Sequence, residues 1–119
     1  MNSEKTVAEY LNAWNETDPA RRRATIERLC TGDCSYTDPL ADVKGPAGLD
    51  ALIAGVHAQL PGFTFTLAGK VDAHHGQARF TWHAAPAGAR EPVVIGFDVL
   101  VLDGERIRSV YGFLDKVPG

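Results

Sequence analysis

The chain has 119 residues, of which 45% are apolar and 23% charged, and its formal charge is −3. That is the size and make-up of one globular domain, residues 1–119, able to bury a core without disulfides or a metal; a disordered chain is excluded. Arg21-Arg22-Arg23, the densest basic group, shares its segment with Asp18 and Glu27 and reads as a solvated helix face, so no nucleic-acid partner is expected.

The segment Met1 to Lys5 is polar, and no apolar run approaches the roughly 18 residues of a membrane span. A cytoplasmic protein with no membrane partner is therefore expected. Ser3 opens a first helix whose apolar face is Val7, Tyr10, Leu11 and Trp14, and which stops between Asn15 and Thr17. Asp18 as N-cap and Pro19 at the first helical position start a second, with Ile26, Leu29 and Cys30 on its buried side and Gly32-Asp33 as its break. Cys30 and Cys34 have no further metal ligands beside them and read as two thiols, so neither a metal nor a cofactor is expected. Cys34 to Asp38 is a short strand, cut by Pro39. After Gly45-Pro46 a third helix runs over 47–60, with Leu49, Leu52, Ile53, Val56 and Leu60 as its apolar positions, and Pro61-Gly62 ends it.

Everything after Gly62 reads as strands. Phe63, Phe65 and Leu67 alternate with threonines, and Gly69 marks a bulge. His74-His75-Gly76 is a turn, and Ala78, Phe80, Trp82 and Ala84 alternate again. After a loop over 86–91, residues 92–102 are apolar on both faces apart from Gly96 and Asp98; Asp103-Gly104 is a hairpin turn and 107–114 the last strand. The order α-α-β-α-β-β-β-β, helices first and hairpins later, is α+β. A strand apolar on both faces needs a cover on each, which predicts a homodimer packed through the sheet.

Three polar residues stand out against this apolar pattern. Asp98 interrupts an apolar strand, where an unpartnered carboxylate costs several kcal/mol; it must pair, accept hydrogen bonds or keep its proton. Arg79 and Arg108 are the cations placed to neutralise it from neighbouring strands. Asp38 ends the first strand, where an aspartate making a turn is common. Tyr10 lies on the apolar face of the first helix, where a core tyrosine bonded to backbone is the ordinary outcome. His57 sits near the apolar side of the third helix, as a pocket residue or a partly buried structural one. Trp14, Phe63, Trp82, Phe97, Tyr111 and Phe113 are candidates for an aromatic wall, against the plainer reading as core.

Tyr10-Leu11-Asn12-Ala13-Trp14-Asn15, the Asp38-Pro39 strand end and the Phe97-Asp98-Val99-Leu100 strand resemble the ketosteroid-isomerase branch of the nuclear transport factor 2-like superfamily, which includes the SnoaL-like polyketide cyclases. The resemblance spans nearly the whole chain. It implies three N-terminal helices on a strongly curved antiparallel sheet, a cone-like barrel enclosing an apolar pocket for a small hydrophobic molecule. It also implies roles: Asp38 as general base, Tyr10 and a protonated Asp98 as donors to an enolate oxygen. The further tyrosines that support the phenol in the isomerases have no evident counterpart here. Two other functions remain open beside cofactor-free acid/base catalysis. The same pocket would serve as a non-catalytic binding module, or the sheet as a dimerisation surface alone.

Overall fold

The computed structural model describes residues 2–118. Helix α1 spans Ser3–Asn15, capped by the Asn2 side chain, which accepts from the Lys5 N–H. Helix α2 spans Pro19–Leu29 and starts as its sequence dictates: the Asp18 carboxylate accepts from the Arg21 N–H at 2.8 Å and Pro19 fills the first turn. Strand β1, Cys30–Asp38, follows directly, then β2, Ala41–Lys44, and helix α3, Gly45–Gln59. Strands β3 (Phe63–His74), β4 (Gln77–Pro86), β5 (Val94–Asp103) and β6 (Arg106–Lys116) form a meander. The β3–β4 turn puts both His75 and Gly76 at positive φ, the geometry of a tight two-residue hairpin.

The fold is the expected α+β arrangement of three helices on a curled sheet. The sheet order is β2-β1-β6-β5-β4-β3, and the sheet curls around the helices without closing, leaving β2 and β3 as edges. Several details differ from the sequence reading. The sheet is mixed, because the last strand docks on β1 in parallel. And β2 is a strand where only a loop was expected: four half-exposed residues pairing back on β1, Asp38 opposite Ala41. Gly32-Asp33, read as a helix break, lies inside β1, where its pairing with β6 jumps register between Cys30 and Ser35.

The concave face carries the core. Tyr10, Ile26, Ile53, Phe80, Leu100, Ile107 and Val110 are almost wholly buried between helices and sheet. The arginine triplet is not uniformly solvated. Arg22 is buried; its Nε meets Asp50 Oδ1 at 2.7 Å and its Nη1 donates to the Glu16 carbonyl, so it ties α2 to α3. Asn15 does the same for α1 and β3: its side-chain amide donates to the Phe65 carbonyl and accepts from the Phe65 N–H, at 2.8 and 2.7 Å. No described helix is long and apolar enough to cross a membrane.

Candidate active site

On a strand, alternate residues share a face. In β5 the concave face takes Val94, Gly96, Asp98 and Leu100, all buried, while Ile95, Phe97 and Val99 turn to the convex face. Asp98 is therefore aimed at the helices. It is 4% exposed and meets no cation among the described residues: Arg79 sits on the surface near Asp72, and Arg108 is exposed. Its hydrogen-bond donor among the described residues is Trp82 Nε1, 3.1 Å from Oδ1. Burial pushes the Asp98 carboxyl up to about 7; the indole N–H works against that rise and the neighbouring Asp38 adds to it. Near neutral pH this carboxyl is poised between its two forms.

Two glycines make room for this arrangement. Gly96 pairs with Trp82 across β5 and β4, and a Cβ there would stand 2.4 Å from the indole ring. With no side chain at Gly96, the indole lies over the backbone and reaches Asp98. Gly112 on β6 pairs with Asp98 and lies between it and β1. A Cβ there would stand 3.0 Å from Asp98 Oδ1, 3.2 Å from Asp38 Cβ and 3.6 Å from the Tyr36 hydroxyl. The missing side chain lets two carboxyls and a phenol converge.

Asp38 is held quite differently. Oδ1 accepts from the Leu40 and Ala41 N–H groups, each at 2.8 Å, which shapes the turn into β2, and Oδ2 accepts from the Tyr36 hydroxyl at 2.7 Å. A carboxylate has about four acceptor positions; three are used here and one on Oδ2 is left. Burial, with the Asp98 charge and the bond to Asp38 behind it, keeps the proton on Tyr36. Tyr10 rises through α1 into the same region. Its hydroxyl is buried and its proton has no acceptor among the described residues, while the Trp14 indole N–H, also buried and unpartnered, faces it; burial, reinforced by Asp98 and Tyr36 and opposed by that N–H, raises it well above an ordinary phenol.

These groups border one cavity of about 240 Å³. Tyr36, Trp14, Phe65 and Trp82 make an aromatic arc along it, successive ring centroids 5.9, 5.3 and 5.5 Å apart. Val56 and Gln59 of α3 and its C-cap Leu60 border another side, and Leu11, Leu40, Val94, Leu114, Val117 and Pro118 complete the lining. Among the described residues no three His, Cys, Asp or Glu side chains gather as a metal site.

Of the residues singled out in the sequence, Asp38, Asp98, Tyr10, Trp14 and Trp82 border this cavity together. His57 does not: its Nε2 lies 2.6 Å from the Trp14 carbonyl, so the ring braces α3 against α1. Phe63 packs against the core outside the lining. Tyr111 and Phe113 stand on the convex face, each about half exposed, with Phe113 stacked on Phe97 at 4.8 Å. The register shifts near the ends of β5–β6 leave Gly112 and Leu114 inside and those two rings outside. Sequence reasoning passed over Tyr36, although it sits two residues before Asp38 on a strand and must share its face. It also missed Phe65, Leu114 and the space-making glycines.

Comparison with known families places this geometry. The family model described as the SnoaL-like domain matches residues 7–110. The chain belongs to the SnoaL-like family. Among solved structures, this SnoaL-like protein is similar to an isomerase candidate of the same family from Agrobacterium tumefaciens, with 37% identity, a TM-score of 0.89, and coverage of 93% of this chain and 95% of the other. A SnoaL-like polyketide cyclase candidate from Jannaschia shares 14% identity over 94% of this chain and 86% of its own, with a TM-score of 0.72. A ketosteroid isomerase candidate from Kribbella flavida shares 16% over 97% and 78%, with a TM-score of 0.71. The last two show a shared fold. No curated protein matched the sequence.

Proposed function

We propose that this SnoaL-like protein is a cofactor-free acid/base catalyst, an isomerase or cyclase that abstracts a proton next to the carbonyl of a small, largely apolar compound held in the cavity. The observation that carries this reading is the buried Tyr10 hydroxyl without a partner, at a cavity that also receives Asp98 and Asp38. A buried donor left unmade costs about 1–3 kcal/mol, and a ligand oxygen would satisfy it. Tyr10 and protonated Asp98 then donate to the oxygen on which negative charge develops, and the dry surroundings strengthen both bonds. Asp38, oriented by its three donors, takes the proton on its remaining acceptor position.

The test is deuterium incorporation next to the carbonyl, followed by NMR over a panel of cyclic enones and β-keto esters. The expected result is exchange above the buffer rate that Asp38→Asn loses. Exchange undiminished in Asp38→Asn removes Asp38 as the base. No exchange for any compound leaves the non-catalytic binding module, a reading favoured by the three donors already engaged on Asp38. We also infer that two copies pair through the convex face around Phe97, Tyr111 and Phe113. Sedimentation should show a dimer that Phe113→Glu dissociates; a monomer at all concentrations ends that inference.

A further inference from the structure

The cavity carries acid without base. Asp38 and Asp98 both open onto it, and none of its lining side chains is a lysine, arginine or histidine. The cations around it are engaged elsewhere: His57 on the Trp14 carbonyl, Lys116 on the Pro92 carbonyl, and Arg22 with Asp50. The charge of each acid is felt across the space. Asp38 contributes to keeping the proton on Asp98, and Asp98 contributes to keeping the protons on Tyr10 and Tyr36. Once Asp98 has given up its proton, such a site repels an anionic ligand and, by the same field, attracts a cation.

The rest of the lining says what kind of cation. Tyr36, Trp14, Phe65 and Trp82 form a continuous arc of rings, whose faces carry the negative end of the aromatic quadrupole. A primary ammonium needs several acceptors to replace its water, and an apolar, aromatic wall offers few. An alkylated ammonium is more weakly hydrated and spreads its charge over methyl groups that pack on rings. We propose that the ligand of this cavity is an organic cation, a carbonyl compound bearing a tertiary or quaternary ammonium group, recognised by the aromatic arc and the two carboxyls. This rests on the reading of the cavity as the ligand site, and adds the charge of the ligand to it.

Calorimetric titration of the intact protein with an isosteric pair tests it: phenacyltrimethylammonium, and 3,3-dimethyl-1-phenylbutan-1-one, in which carbon replaces the charged nitrogen. Both keep the ketone and the same shape, so only charge differs. At pH 8 the cation should bind at least ten-fold more tightly than the neutral ketone. The preference should shrink toward pH 6, as Asp98 takes up its proton while Asp38, Tyr36, Tyr10 and Trp82 remain around it. Asp98→Asn should reduce the ratio of the two affinities at pH 8, and an unchanged far-ultraviolet circular dichroism spectrum shows that the variant is folded. Equal binding of the two ketones, or tighter binding of the neutral one, overturns the cation and leaves the cavity as a site for neutral carbonyl compounds. If neither binds, the cavity is not the ligand site, and both readings fall together.

Discussion

The two faces of the β4–β5–β6 sheet are built from the same strands and differ by one residue in parity. On the concave side Phe80, Trp82, Asp98 and Gly112 meet the helices; on the convex side Phe97, Tyr111 and Phe113 face outward. The concave side combines the core with buried polar groups, among which the Tyr10 hydroxyl and the Trp14 indole N–H at the cavity are left without partners. The convex side sets those rings beside the polar Arg79, Thr81 and His83 of β4 and, among the described residues, holds no buried carboxyl. Burial, rather than aromatic content, separates a site from a surface here. The rings are equally aromatic on both sides, but only on one does a carboxyl lie beside them out of water.

The sharpest way to break this contrast is truncation of one ring on each face. Phe80→Ala, at 1% exposure and edge-on to Tyr10, should cost about 3–5 kcal/mol in urea unfolding. Phe113→Ala, at 50% exposure, should cost less than about 1 kcal/mol when measured at monomer concentration. Similar losses for the two would mean that the faces are not distinct.

The next effect is a pH dependence. Asp98 is raised from 3.8 to about 7 in the folded chain, so between those values the native state holds a proton that the unfolded state has lost. Stability from this group is present in full at pH below about 4 and is lost as pH rises through about 7. The difference between wild type and Asp98→Asn across pH 4 to 8 should therefore change by up to an order of 4 kcal/mol, with wild type losing ground toward alkaline pH. A difference that stays flat would mean that Asp98 titrates as an ordinary carboxyl.

Smaller effects follow. Gly96→Ala drives a Cβ against Trp82 and the Phe113 carbonyl, at 2.4 and 2.6 Å, and should cost about 1–3 kcal/mol while weakening the indole's reach to Asp98. Thermal melting reads the first effect, and a carboxyl NMR titration of Asp98, displaced upward, the second. Tyr36→Phe removes one donor from Asp38 and should cost about 1.5 kcal/mol, with the turn at Leu40 intact because its two backbone donors remain. Loss of that turn in the variant's NMR spectrum would show that the phenol, not the backbone, holds Asp38.

The elements with strong local signals were legible. Asp18-Pro19, Gly62, His75-Gly76 and Asp103-Gly104 each encode a start or stop in the backbone itself, and the alternation in β4 and β5 gives the faces. The parallel docking of β6 on β1 was not, because it rests on which edge the meander reaches, and nothing in either strand's pattern specifies direction. Strand β2 is four residues long and leans on the Asp38 turn, too short for periodicity to register. In the candidate site, Asp98 stood out as a carboxyl in an apolar strand, whereas Asp38 and Tyr10, ordinary on their own, were drawn out by the family resemblance. Tyr111 and Phe113 failed because the register shifts in β5–β6 reverse the parity that simple alternation assigns. Gly96 and Gly112 act through the side chain they lack, so only the packing around them shows their part.

The chain contains two tryptophans, and both Trp14 and Trp82 border the cavity. The protein thus carries its own optical reporter. With no third indole to dilute the signal, emission excited beyond the tyrosine band comes from the site alone, so an unlabelled sample in a cuvette can register the arrival of compounds that perturb either ring and sort a chemical library before its reaction is known.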